Sequence, residues 1–115
     1  MEKVSVADVE SGGMGAADRR GLTDALDATG LAINHYSVDP GEGLSGGLHT
    51  HMDQEEIFYV IEGEVTFTVG YDGDESVVLE GEEAIRFAPG EYQTSENTGD
   101  GEAAVVALGA PRESG

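Results

Sequence analysis

Short apolar runs, separated by glycine-rich turn signals at regular intervals, most constrain the fold of this chain. The sequence of 115 residues holds 18 glycines but only 3 prolines. Each run is long enough for a strand and too short for a typical helix, and Asp72-Gly73 between two of them is a strong hairpin signal. About eight or nine short strands with almost no helix predict an all-β domain. A closed barrel or a double-sheet jelly roll is the natural architecture, because closure removes exposed strand edges.

Alternation of apolar and polar residues predicts where the strands lie. We expect a first strand and a loop in residues 1–30 to pack on a barrel formed by residues 31–110, followed by a flexible tail over residues 111–115. Within the first segment, Ser11–Arg20 is predicted as a loop because it contains Gly-Gly and a further Gly. The predicted strands are Lys3–Val9, Leu31–Val38, Glu56–Glu62, Val65–Val69, Ser76–Leu79, Ala84–Ala88, Tyr92–Glu96 and Ala103–Leu108.

The charge balance limits the partners of this protein. There are 24 Asp and Glu residues against 5 Lys and Arg residues, which gives a net charge of −19. Such a surface repels the phosphates of nucleic acids and anionic lipids, so we expect neither as a partner. No apolar run approaches the ~18 residues that a membrane span needs, and the N-terminus lacks the apolar core of a signal peptide. The sequence therefore predicts a cytoplasmic protein.

Acidic chains are often disordered, but disorder requires low hydrophobicity, and periodic Val, Ile and Phe runs remain in this sequence. We favour a folded halophilic protein, because molar salt shortens the Debye length to about 3 Å and screens acidic self-repulsion. Cysteine is absent, which excludes disulfides, thiolate nucleophiles and Cys-ligated metal centres.

The segment His49-Thr50-His51, with Glu56 shortly after it, carries the clearest functional signal. On a strand, positions i and i+2 point to the same side, with Cα atoms roughly 6.5–7 Å apart. Two imidazoles in that arrangement can converge on one ion, and a carboxylate can join them. Two His and one carboxylate with open positions are typical of a divalent transition metal that performs chemistry.

Two glycines extend this segment into a longer pattern, Gly43-x5-His49-x-His51-x4-Glu56-x6-Gly63. The pattern resembles the first motif of the cupin superfamily at every defining position. The resemblance covers roughly Leu31 to Leu108, and the surrounding sequence looks like that of small single-domain cupins of haloarchaea.

A second stretch, Gly81…Pro89-Gly90-x2-Gln93-x3-Asn97, is similar to the second cupin motif. It departs from the pattern by one extra residue before the Pro-Gly turn. More importantly, Gln93 occupies the position where the family usually carries its third histidine.

The resemblance implies an all-β cupin-type barrel, a double-stranded β-helix or jelly roll, that binds one divalent metal ion (Fe, Mn, Zn, Ni or Co). Carried over residue by residue, the ligands are His49, His51, Glu56 and Gln93. The Gln93 amide oxygen is a weaker, neutral donor than imidazole, and either coordinates the metal or hydrogen-bonds to metal-bound water or substrate. Glu56 is preferred over Glu55 because only Glu56 stands seven residues before Gly63 and shares a strand face with Phe58. A cupin that has lost its metal is the alternative, since one ligand is already altered.

The resemblance further implies a small organic molecule as substrate inside the barrel, with dioxygenase or isomerase chemistry. A binding module that holds or senses a small molecule without turnover is the rival hypothesis. Besides Glu56, only His35 and a Tyr can be named as acid or base near the metal. His35 is either such a catalytic group or a structural one on an apolar strand. Apolar residues on both faces of strand 56–62 predict a homodimer.

Overall fold

The structure is a computed structural model that describes residues 1–12, 17–44 and 53–112. The strands in these residues are β1 Ser11–Gly12, β2 Asp18–Gly21, β3 Ala32–Val38, β4 Glu55–Glu62, β5 Glu64–Val69, β6 Glu75–Glu80, β7 Glu83–Phe87, β8 Gln93–Asn97 and β9 Ala103–Ala110. They form two antiparallel sheets, in the orders β1-β2-β3-β9-β4-β7 and β6-β5-β8. Within the described part of the chain, the helical structure is a single 3-10 turn at Val6–Asp8.

The core lies between the two sheets and is built from alternate residues of their strands. Phe58 and Phe87 reach it from the six-stranded sheet, and Phe67 reaches it from the three-stranded sheet. The Phe67 ring centroid lies 5.2 Å from that of Phe58 and 5.8 Å from that of Phe87. These tilted ring contacts join the sheets by the burial and packing of aromatic surface. The predicted all-β jelly roll is confirmed.

The strand predictions from β3 to β9 are confirmed to within one or two residues at most ends. The hairpin signal Asp72-Gly73 lies between β5 and β6, which pair antiparallel. Gly73 has a φ of +68°, in the region that glycine adopts without a steric penalty. The alternation of apolar and polar residues predicts these strands correctly because one face of each sheet packs on the core and the other faces solvent.

The first predicted strand, Lys3–Val9, is wrong. This segment holds the 3-10 turn instead, and the Arg20 guanidinium donates hydrogen bonds to the carbonyls of Val6, Ala7 and Val9 at 3.3, 3.3 and 2.8 Å. A side chain thus satisfies carbonyl groups that a strand ladder would otherwise pair. The predicted loop Ser11–Arg20 is also wrong at both ends, since it contains β1 and most of β2, which pair with each other.

Gly63 connects the two sheets, because it lies between β4 and β5. Its φ is +90°, and a Cβ placed there would lie 2.7 Å from the Ala103 Cα and 2.8 Å from the Ala103 Cβ. Both the backbone conformation and the close approach to β9 require glycine here.

Candidate functional site

A cavity of about 450 Å³ opens between the sheets. Residues of β2, β3, β4, β8 and β9 line it, together with residues from the connecting segments. Its wall has an apolar part, which includes Phe58 and Ala107, and a polar part, which includes Asn34, Glu56 and Gln93. A cavity of this size and mixed character suits a small ligand held by a few polar groups.

Glu56 lies on the inner face of β4, as the sequence predicts. Phe58 and Val60, two and four residues further along, are buried in the core, and Glu56 lines the cavity. Glu55 leaves the strand on the other side, where its Oε2 lies 2.7 Å from the Arg86 Nε. The alternation along β4 therefore presents Glu56, and not Glu55, to the cavity.

Gln93 reaches the same cavity from the opposite sheet. It is the first residue of β8, and its exposed fraction is only 3%. The far end of β8 is fixed by Asn97, whose Nδ2 donates to the Val38 carbonyl at 2.8 Å and to the Gly101 carbonyl at 2.9 Å. Among the described residues, the Gln93 amide makes no hydrogen bond to another side chain. A buried amide in a cavity wall is well suited to a ligand or metal contact.

His49 and His51 lie outside the described residues, so their predicted role as metal ligands stays a prediction. In the ranges 1–12, 17–44 and 53–112, no group of three or more His, Cys, Asp or Glu side chains is positioned to hold a metal ion. Glu56 and Gln93 nevertheless fit the predicted site, because they bring a carboxylate and a buried amide oxygen to one cavity. Both are oxygen donors that divalent metals accept.

His35, the second predicted catalytic residue, is placed differently. It lies on β3 between Asn34 and Tyr36, and both of these neighbours line the cavity. Since successive side chains of a strand point to opposite faces, His35 points away from the cavity. Its partly buried side chain is positioned next to Arg20 and Val106 of the flanking strands. This position favours the structural alternative.

Arg19 and Tyr36 are cavity residues that sequence reasoning missed. They are direct neighbours across β2 and β3. Burial raises the pKa of Tyr36 above its usual value, Arg19 opposes that rise, and the Glu56 carboxylate adds to it. The available signal was the rarity of cations in this sequence; Arg19 was assigned to a loop instead.

Comparison with known families agrees with this architecture. Residues 34–109 match the family model described as the cupin domain. The chain belongs to the cupin family. No curated protein matches the sequence of this cupin.

Solved structures show the same fold. A predicted oxalate decarboxylase from Thermotoga maritima superposes with a TM-score of 0.79 at 20% identity, covering 95% of this cupin and 98% of that chain. A sugar phosphate isomerase of the cupin superfamily from Silicibacter pomeroyi has a TM-score of 0.81 at 19% identity, covering 94% and 74%. A provisionally assigned sugar phosphate isomerase from Acidithiobacillus ferrooxidans has a TM-score of 0.72 at 19% identity, covering 82% of this cupin. This cupin spans 58% of the length of that last chain.

Proposed function

We propose that this cupin binds one divalent metal ion through His49, His51, Glu56 and Gln93 and acts with it on a small organic molecule inside the barrel. The observation that carries the proposal is the arrival of Glu56 and Gln93 at one cavity from two different sheets. These two residues stand far apart in sequence and belong to the two separate motifs of the cupin pattern. Their shared cavity supports the pairing of those motifs at one site.

The described side chains suit such a site. A bound divalent metal supplies Lewis acidity to a substrate oxygen. Glu56 contributes a carboxylate and Gln93 a neutral amide oxygen, so the second motif donates more weakly here than an imidazole would. Phe58 and Ala107 give the cavity an apolar wall on one side. Tyr36 keeps its hydroxyl proton at neutral pH, because its pKa is raised above an ordinary value of 10.0 that already lies well above neutrality, and it can donate that proton in a hydrogen bond to a substrate oxygen.

For the reaction class we favour isomerisation of a small oxygen-rich molecule. This choice follows the similar structures, which include a sugar phosphate isomerase of the same fold at 19% identity. Oxygenation by an Fe(II)-loaded site is the alternative enzymatic reaction, because two His and a carboxylate leave positions open. Binding without turnover is the non-enzymatic alternative.

Metal content tests the proposal directly. The protein is purified without chelator or nickel resin, and its metal is quantified for the native chain and for His51→Ala and Gln93→Ala. We expect about one divalent metal per native chain and a loss of at least about tenfold in metal affinity for His51→Ala, since one inner ligand is removed. Gln93→Ala should weaken binding less, because a neutral amide is the weaker donor.

The matched control is His35→Ala, which removes the one other histidine of the chain from the opposite face of β3. It should leave the metal content unchanged. Unchanged metal content in His51→Ala would contradict the proposed site. Oxygen uptake with a bound iron would favour the oxygenase, and stoichiometric metal without turnover across a panel of sugar phosphates and small acids would favour the binding module.

A further inference from the structure

Positive charge is scarce in this chain and yet present at the cavity. The whole sequence has four arginines and one lysine against 24 acidic residues. Two of the arginines, Arg19 and Arg112, line the cavity. The long-range field of a protein with a net charge of −19 repels anions, so an anionic ligand requires a local cation.

Three of the arginines are engaged by carboxylates. The Arg112 Nη2 lies 2.6 Å from the Asp24 Oδ1, and its Nη1 donates to the Ala28 carbonyl at 2.6 Å. The other two pairs are Arg20 with Asp18 and Arg86 with Glu55. Asp24 also lines the cavity, so the Arg112 pair adds no net charge there.

Arg19 is different within the part of the chain that the structure describes. No salt bridge joins it to a described carboxylate, and its neighbour across the two strands is the neutral side chain of Tyr36. A guanidinium carries five N–H donors in a planar fork, and these can serve a ligand. That fork matches the two oxygens of a carboxylate or phosphate.

Tyr36 stands beside Arg19. The two residues are cross-strand partners on β2 and β3, and Tyr36 packs against the hydrophobic core. A tyrosine held by the core on the neighbouring strand limits the positions that the exposed Arg19 side chain adopts. Less side-chain freedom is then lost when a ligand binds.

We infer that the cavity takes a ligand bearing a carboxylate or phosphate group, and that Arg19, beside Tyr36, is the specificity-determining residue that receives this group. The inference rests on the proposed function for the site and adds the chemical class of its ligand. Arg19 binds the anionic end, while Glu56 and Gln93 line the same cavity from β4 and β8.

Binding of small anions to the metal-free protein tests the inference separately from the metal. Isothermal titration calorimetry is performed with malonate, with inorganic phosphate and with neutral malonamide. We expect the native protein to bind at least one of the two anions in preference to malonamide. Arg19→Gln should weaken that binding by at least about tenfold, because it removes a charge-assisted bidentate contact. Arg19→Lys should restore part of the affinity, since it keeps the charge and loses the fork.

Arg86→Gln is the matched control, because Arg86 is an exposed arginine on the outer face of β7, paired with Glu55. Its anion affinity should equal that of the native protein. Binding of malonate alone would identify the anionic group of the ligand as a carboxylate, and binding of phosphate alone would identify it as a phosphate. Either result supports the inference. Equal affinity in Arg19→Gln and the native protein would overturn it, as would binding of neither anion by the native protein.

Metal content separates this inference from the proposed function. Arg19→Gln should retain the native metal content, because Arg19 is not among the proposed ligands. A protein that binds anions through Arg19 but holds no metal would overturn the metal site and leave the anion site standing. A protein that holds metal but binds neither malonate nor phosphate in preference to malonamide would overturn the anion site and leave the metal site standing.

Discussion

The surroundings of Tyr36 act on the pKa of its hydroxyl in two opposite directions. Burial and the nearby Glu56 carboxylate favour its neutral form, whereas the Arg19 guanidinium favours its ionised form. Burial has the largest effect, so the pKa of Tyr36 is raised above its usual value of 10.0. The native protein therefore keeps this proton at a pH where the unfolded chain has released it.

That difference predicts a loss of stability at alkaline pH. Above about pH 10 the native state binds more protons at Tyr36 than the unfolded state, so the free energy of unfolding falls as pH rises. Tyr36→Phe removes the titrating group, and its free energy of unfolding should fall less than that of the native chain between about pH 9 and pH 11. Urea unfolding at both pH values measures the difference.

Tyr71→Phe is the control for this measurement, because the Tyr71 side chain is exposed. Its free energy of unfolding should fall by the same amount as that of the native chain between about pH 9 and pH 11. An equal or larger loss in Tyr36→Phe would contradict the role assigned to Tyr36.

Among the elements, the turn between β4 and β5 has a tight steric requirement. Gly63→Ala combines a positive φ with a Cβ 2.7 Å from the Ala103 backbone. The positive φ costs about 1–2 kcal/mol and the overlap with β9 about 1–3 kcal/mol more. We expect the free energy of unfolding to fall by roughly 2–5 kcal/mol, measured by urea denaturation.

Two other glycines separate the two contributions. Gly41 has a φ of +86° but open space where an alanine Cβ would lie, so Gly41→Ala should show the backbone cost alone. Gly101 has neither feature, and Gly101→Ala should be nearly neutral. Equal losses in Gly63→Ala and Gly41→Ala would show that the contact with Ala103 relaxes freely.

The alternation of apolar and polar residues was sufficient to predict the strands that cover the core. It was insufficient to predict the N-terminal segment. β4, β5 and β9 place alternate apolar residues in the core, and that burial makes their pattern readable. The strand prediction for the N-terminal segment failed because Arg20, far from Val6 in the sequence, satisfies the carbonyls of that segment. No local pattern encodes such a side-chain contact.

The same limit applies to the site. The cupin pattern was sufficient to predict that Glu56 and Gln93 lie at one cavity, because the fixed spacings of its motifs place them there. It carries no information on Arg19, which enters from β2 through its pairing with β3. For His35 the pattern left a catalytic and a structural role open, because the two faces of β3 are similar in composition.

At the scale of the whole molecule, the outer face of the larger sheet carries an apolar strip. Ile57, Tyr59 and Ile61 of β4 are 37%, 38% and 42% exposed. Their cross-strand neighbours on β9 include Leu108 and Val106. Glu55, at the end of this strip, is paired with Arg86. On a chain with a net charge of −19, the apolar strip is where a second copy can approach with least repulsion.

The homodimer expected from the sequence therefore stays a prediction, with this strip as its interface. We expect the dimer fraction to rise with potassium chloride concentration, because salt screens the repulsion between two acidic chains and strengthens apolar association. Tyr59→Glu should shift the protein to monomer, whereas Tyr71→Glu, which changes an exposed tyrosine elsewhere, should not. Sedimentation velocity at several salt concentrations measures both effects. A native chain that stays monomeric throughout would contradict the prediction.

The halophilic, cytoplasmic character expected from the composition also stays a prediction. Among the residues described, none belongs to a helix long and apolar enough to cross a membrane.

The position of β9 between β3 and β4 has a consequence for biosynthesis. During translation, β3 and β4 leave the ribosome long before the strand that bridges them. Until β9 emerges, the inner edges of both strands expose unpaired backbone groups and the apolar side chains of the unfinished core. The nascent chain therefore depends on β9 to bring the two halves of the sheet together. Its high acidity repels other acidic chains from the exposed segments in the meantime.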